Sequence, residues 1–118
     1  MNRDSSKELP PCPVEVTLSL ISNRWKVLIL RDLMNGPQRF GELRKSVGGI
    51  TQKVLTSNLR EMEEDHLLIR TVYAEVPPRV EYQLTDLGYS LKNVLTSMEL
   101  WGSRYKESLN NTHLEGYA

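Results

Sequence analysis

A mainly α-helical domain with a small β-hairpin is what this sequence predicts, and three observations predict it. Between Phe40 and Leu84 a short helix, a Gly48-Gly49 turn and a second helix with one polar face follow one another. Two β-rich runs come next, closed by Pro77-Pro78-Arg79. A heptad-like apolar spacing then fills the stretch after Thr85. This order is the plan of a winged helix-turn-helix, a shape that lays one helix in a DNA groove.

With 118 residues there is room for one such domain. The expected organisation is an N-terminal arm over 1–12, the domain over 13–107 with its last helix at about 86–107, and a fraying tail over 108–118. Fifteen Lys and Arg balance fifteen Asp and Glu, so the whole chain is not the basic body of a nonspecific nucleic-acid binder. Local charge differs. Arg39, Arg44, Lys45, Lys53 and Arg60 stand against Glu42 alone between residues 39 and 60, and Glu61, Glu63, Glu64 and Asp65 then reverse the sign. Only the first half of that helix suits a phosphate backbone. The N-terminus mixes acid, base and serine without a long apolar run, so neither a signal peptide nor a membrane span is expected. Cys12, the single cysteine, cannot form an intrachain disulfide, which fits a reducing, cytoplasmic setting.

From Pro13 to Leu20 apolar and polar residues alternate as in a strand, yet Val14, Leu18, Ile21, Trp25 and Leu28 also step as on a helix. Pro13 suits a first helical position and the stripe runs on, which favours helix. Ser22 or Asn23 can cap a second helix from Arg24 to Met34, and Asn35-Gly36-Pro37 stops it. Its two apolar sides predict a central place in the core. Phe40 to Val47 is a short helix with Phe40 and Leu43 inward and Arg44 and Lys45 outward, ended by glycines that permit positive backbone angles. In the next helix Ile50, Val54, Leu55, Leu59 and Met62 form the apolar stripe. Thr51, Gln52, Lys53, Thr56, Ser57 and Arg60 then face out. Gln pairs bidentately with adenine, Lys and Arg with guanine or phosphate, and a Thr methyl touches thymine, so this face suits a major groove. A merely solvated helix face has the same composition.

Leu68 to Val76 and Arg79 to Leu84 read as a hairpin, with Val80, Tyr82 and Leu84 on one face. Two prolines stiffen its tip beside Arg79, as in a wing reaching a minor groove, or simply in a soluble turn with one charge. Thr85 can cap a last long helix in which Leu87, Leu91, Val94, Met98, Trp101 and Tyr105 step by four and three. Such a seam reads partly as a helix-to-helix dimer contact and partly as packing on its own domain. A two-fold dimer would set two recognition helices about 34 Å apart and predict a palindromic operator. Trp101 and Tyr105, against the first helix near Trp25, could also border a small-molecule pocket.

No enzyme emerges. His66 and His113 lie in unrelated places, no Cys/His spacing suits zinc, and neither a nucleophile elbow nor a phosphate-cradling glycine loop is present. No cofactor or metal is expected. The acidic run from Glu61 to Asp65 lacks the glycine turn of a calcium loop and reads as a solvated face.

Taken together, Cys12-Pro13-Val14, Arg24-Trp25 with Val27 to Leu30, Arg39-Phe40-Gly41-Glu42-Leu43, Gly49-Ile50-Thr51-Gln52-Lys53, Leu55 to Asp65, and Val76 to Tyr82 with Leu84-Thr85 resemble the HxlR-type winged helix-turn-helix regulators. These are relatives of the multiple-antibiotic-resistance regulators, and the resemblance runs from about Pro11 to Glu107. It implies a homodimeric bacterial regulator, usually a repressor, bound to a double-stranded DNA operator. The resemblance carries base reading to Thr51, Gln52, Lys53, Thr56 and Ser57 and wing contact to Arg79. Arg39 and Arg60 join them on charge. It also implies a dimer built from the first and last helices, hence from Val14, Leu18, Leu91, Val94, Met98, Trp101 and Tyr105. Several such regulators sense electrophiles or oxidants through a cysteine at the position of Cys12. Here backbone N–H groups and the helix dipole would stabilise a thiolate. Lacking a second cysteine, this chain would be switched by alkylation, by a mixed disulfide or by Cys12 pairing across subunits. An inert Cys12 and a small-molecule effector stay open, as does a winged helix that binds protein.

Overall fold

The computed structural model describes residues 8–111. Six helices and three strands follow in order: α1 Pro13–Leu20, α2 Arg24–Leu33, β1 Gln38–Arg39, α3 Phe40–Val47, α4 Gln52–Glu64, β2 Leu68–Tyr73, β3 Arg79–Leu84, α5 Asp86–Tyr89 and α6 Lys92–Asn110. The winged helix-turn-helix plan is present.

Helix α2 is the centre of the core. Free of Gly and Pro, it starts where the Asn23 side chain accepts the Lys26 backbone N–H at 2.9 Å, and it ends just before Asn35-Gly36-Pro37. Its Ile29, Leu30 and Leu33 are fully buried against Leu43 of α3, Leu55, Leu59 and Met62 of α4, and Leu84 of β3. Each of these leucines removes a full side chain from water, and truncating one to Ala would cost about 2–5 kcal/mol.

Between α3 and α4 the chain turns through Gly48 and Gly49 at φ +76° and +71°, a backbone region that side chains disfavour. Arg44 closes the turn by donating to the Ile50 carbonyl at 3.2 Å. Thr51 caps α4, its side-chain oxygen accepting the Val54 N–H at 3.1 Å.

The sheet has three strands in the order β1-β3-β2, all antiparallel. Sequence reading missed β1, whose two residues pair Gln38 with Tyr82 and Arg39 with Glu81, because two residues carry no alternation signal. The hairpin register sets Leu68 opposite Leu84 and Tyr73 opposite Arg79, with Tyr82 and Leu84 buried as the alternation required. Strand β2 stops at Tyr73 rather than Val76, since the Glu75 N–H folds back onto the Tyr73 carbonyl and Pro77 and Pro78 have no N–H to continue a ladder. The Val76-Pro77 peptide bond is cis.

The segment after Thr85 corrects the expectation of one long helix over 86–107. Thr85 does cap a helix, accepting the Gly88 N–H at 3.0 Å, but α5 ends at Tyr89, and Leu91 becomes the residue that precedes α6. The break lets α5 pack on β3 while α6 leaves along α2. Gly88 is needed there: a Cβ at this position would lie 2.1 Å from the Leu67 carbonyl oxygen. Helix α6 continues through Asn110, past the boundary expected at residue 107, so Ser108 to Asn110 are helical. The rest of the expected tail, 112–118, and positions 1–7 of the expected arm lie outside the described residues.

Replacing Gly88 with Ala should destabilise the domain by about 1–3 kcal/mol, because the added methyl meets backbone rather than a flexible side chain. Urea unfolding followed by circular dichroism measures this, and an unchanged midpoint would contradict the packing described.

Candidate nucleic-acid interface

Helix α4 has one face in the core and one in solvent. Leu55, Leu59 and Met62 are buried, while Gln52, Lys53, Ser57 and Arg60 are exposed and Thr56 is half-buried. Thr51 is exposed too, but its oxygen is committed to the cap, which leaves its methyl and hydroxyl proton free to face a partner. Along this outer face runs a shallow trough of about 630 Å³ with Gln52, Lys53, Thr56, Ser57 and Arg60 in its walls. The structure thus brings together on one surface the reading residues expected from the sequence.

Two polar contacts fix how that surface is presented. The Asn23 amide donates to Asn58 Oδ1 at 2.9 Å, while the Asn58 amide donates to the Val54 carbonyl at 2.8 Å. One turn further on, Lys26 Nζ reaches Glu61 Oε1 at 2.6 Å, with the Lys26 side chain 5% exposed and that of Glu61 49%. Both pairs bolt α4 to the first turn of α2. Glu61 therefore corrects the reading of the acidic run as purely solvated: it is the counter-ion of a buried lysine. Sequence reasoning missed Lys26 and Asn58, though Asn58 sits directly before Leu59 in the apolar stripe, the spacing of a buried polar residue.

At the other end of α2 the carboxylate of buried Asp32 accepts from Ser46 Oγ at 2.6 Å and from Arg31 Nε at 2.7 Å. Its backbone carbonyl accepts the Gln38 amide at 2.7 Å. Helix α3 and strand β1 are tied to α2 in this way. Hydrogen bonding to Asp32 raises the Arg31 pKa above its ordinary value.

The wing is less simple than a cation on a stiff turn. The Arg79 side chain is 23% exposed, its Nη2 donating to Glu75 Oε2 at 2.9 Å and its Nη1 to Glu81, with the guanidinium 4.0 Å above the Tyr73 ring. The hydrogen bond from Arg79 holds the Glu75 carboxyl below the ordinary carboxylate range, and the charges of Arg79 and Arg39 act in the same direction against partial desolvation. The hydrogen bond to Glu75 in turn raises Arg79. Arg70, exposed on β2, lines a cleft of about 450 Å³ between α4 and the wing together with Gln52, Thr56 and Arg60. Arg70 was not among the expected residues, although its place in the strand run offered the signal.

Helices α1 and α6 contribute no buried residue among those described. Leu91 and Val94 are half-buried against the core, so this part of the seam packs on its own domain, while Leu87 before it is exposed. Val14 is 74% exposed and Trp101 67%, and Leu18, Met98 and Tyr105 are exposed as well. Trp101 and Tyr105 stack with centroids 5.4 Å apart. An apolar groove of about 520 Å³ lies between α2 and α6, with Val27, Met34, Leu95 and Met98 in its walls, and none of Trp25, Trp101 and Tyr105 is among the residues lining it. Cys12 stands exposed at the start of α1, its carbonyl accepting the Val16 N–H at 3.0 Å. His66 lies just past α4 with φ +64° and belongs to the turn into β2. Among the described residues no group of His, Cys, Asp and Glu could hold a metal, and no helix is long and apolar enough to cross a membrane.

The HxlR-like helix-turn-helix family matches residues 20–110. The chain belongs to that family. The HTH-type transcriptional regulator YdeP of Bacillus subtilis, itself uncharacterised, is 45% identical over 106 residues, 90% of this chain and 83% of YdeP. Among solved structures, the redox regulator HypR in its reduced form is 40% identical with a TM-score of 0.79, covering 84% of this chain and 98% of HypR. YodB from B. subtilis in its quinone-bound form is 36% identical with a TM-score of 0.69, covering 79% of this chain and 98% of YodB. This HxlR-family chain is a transcriptional regulator with a helix-turn-helix and not an enzyme.

Glu61→Ala should destabilise the domain by about 1–3 kcal/mol, since it strands a buried ammonium whose partner was half in water. Glu63→Ala, on the exposed side, should stay within about 0.5 kcal/mol. Chemical denaturation of the two variants checks the difference; equal midpoints would contradict a Lys26–Glu61 pair that pins α4.

Proposed function

We propose that this regulator acts as a cytoplasmic homodimer that reads a palindromic operator with the outer face of α4, represses the adjacent gene, and is switched by modification of Cys12. The observation that carries the reading is the polar, cation-bearing face of Gln52, Lys53, Thr56, Ser57 and Arg60 on a helix whose other side is locked into the core. A protein-binding winged helix would expose large apolar groups at this place, and this face has none. Arg39 at the start of α3, and Arg79 with Arg70 on the wing, flank it as backbone contacts.

Dimerisation is supported by the uncovered apolar side chains Val14 and Leu18 of α1 and Met98, Trp101 and Tyr105 of α6, the latter continuing the heptad spacing of the half-buried Leu91 and Val94. An exposed stacked Trp-Tyr pair has the character of an interface anchor. Two copies joined there would set their α4 helices for successive major grooves, about 34 Å apart. The thiol switch is supported by the exposure of Cys12 on the same helix as Val14 and Leu18, and by the redox and quinone chemistry named for the structural neighbours. Alkylation of Cys12, or its capture in a mixed disulfide, would add bulk beside the dimer row. A second switch, a small apolar effector in the groove between α2 and α6, is favoured by the Val27, Met34, Leu95 and Met98 lining.

A selection of the purified protein against random duplex DNA, before and after treatment of Cys12 with a thiol-reactive quinone, tests this. Enrichment of a two-fold symmetric site that is lost on treatment is the expected result. Enrichment insensitive to treatment would move the switch to the α2–α6 groove, and no enrichment at low salt would return the chain to a protein-interaction role. On the enriched site Gln52→Ala and Lys53→Ala should alter base preference, at about 1–3 kcal/mol per lost bidentate contact, whereas Arg79→Ala should weaken the enriched complex without altering which bases it prefers. Trp101→Glu should yield a monomer by sedimentation at micromolar concentration and abolish operator binding; a wild-type monomer would overturn the dimer.

A further inference from the structure

The wing bears its cation already matched. Around the Arg79 guanidinium stand the Glu75 and Glu81 carboxylates and the Tyr73 ring, and Arg39 pairs across the sheet register with Glu81. Two cations and two carboxylates leave the tip with no net charge, so it has no long-range pull on phosphate. Yet the cleft between the start of α3 and the prolines of the tip, about 390 Å³, has both Arg39 and Arg79 in its walls, with Glu75 among them. Removal of one negative charge would turn this cleft into a trough with two arginines, each guanidinium able to grip a phosphate bidentately.

We infer that Glu75 is a specificity-determining residue of the wing: it holds Arg79 in the free protein, and DNA engages the wing only by exchanging phosphate for the Glu75 carboxylate. The inference rests on the DNA-reading role proposed for α4. Of the two carboxylates Glu75 is the one able to leave. It sits in the loop with its side chain 50% exposed, whereas Glu81 lies in β3, paired on both sides and 23% exposed. On nonspecific DNA the protein is held by diffuse attraction, and a neutral tip adds nothing to it. On an operator the base contacts of α4 hold the wing close to the backbone, so Arg79 can trade carboxylate for phosphate at short range. The cost of releasing Glu75 is therefore met only where α4 fits, and the residue suppresses the wrong partners more than the right one.

The test measures wild type, Glu75→Gln, Arg79→Ala and the double variant by fluorescence anisotropy over a salt series. The probes are a mixed-sequence duplex and the duplex enriched by selection. Glu75→Gln should tighten the mixed-sequence complex about threefold to tenfold at low salt and steepen its log–log salt slope by about one. The gain on the enriched duplex should be smaller, so the ratio between the two falls. In the Arg79→Ala background the gain should be clearly smaller, since only the removal of a repelling charge is left to supply it. Thermal unfolding should be unchanged in Glu75→Gln, whose side chain is half in water. Equal affinities and slopes for wild type and Glu75→Gln would overturn the inference, as would a gain undiminished by the loss of Arg79. No duplex binding by wild type would overturn the DNA-reading role and this inference with it.

Discussion

The seating of α4 on α2 is the constraint on which the rest depends. A helix can offer an entirely polar face to DNA only if the opposite face is held strongly enough to resist the load, and Leu55, Leu59 and Met62 supply that hold against Ile29, Leu30 and Leu33. Apolar packing alone permits a helix to slide or roll by a fraction of a turn at small cost. The Asn23–Asn58 and Lys26–Glu61 contacts remove that freedom, because each has a single satisfying geometry and a buried partner that is costly to leave unpaired. Their contribution lies in orientation more than in net stability. Asp32 does the same for α3 and β1 at the other end of α2, so one helix sets the relative position of the turn, the reading face and the sheet that bears the wing.

Charge is distributed with a similar economy. The chain is neutral as a whole, its cations concentrate from Arg39 to Arg60, and the acidic residues that follow partly serve the fold, through Glu61. At the wing the carboxylates of Glu75 and Glu81 lie directly on the cation they balance. Under the proposed function a regulator built in this way would rely on fit rather than on bulk attraction, which is what discrimination among many competing sites requires.

Much of this was legible in the residues. The end of α3 followed from Gly48-Gly49, the start of α2 from Ser22-Asn23, of which Asn23 is the cap, and the sheet face from the alternation of Val80, Tyr82 and Leu84. The outer face of α4 could be read because its apolar stripe is unbroken. What escaped reading were pairings between residues far apart in the chain: Lys26 with Glu61, Asn23 with Asn58, Asp32 with Ser46 and β1 with β3. Each depends on tertiary placement, and a buried lysine looks like any surface lysine in one dimension. The division of the last helix at Ser90-Leu91 was hidden for a related reason. A heptad spacing survives a short break, and the cause of the break, the approach of Gly88 to the Leu67 carbonyl, lies in another element.

In the proposed function α1 and α6, whose apolar side chains the domain leaves uncovered, join two copies into a symmetric reader. At its centre is the entry of the α4 outer face into the major groove. Methylation interference on the bound duplex tests it most directly, since dimethyl sulfate marks guanine N7 in the major groove and adenine N3 in the minor groove. Interference by guanine N7 methylation in two half-sites about one helical turn apart is the predicted result. Interference confined to adenine N3, or a footprint without half-site symmetry, would contradict it.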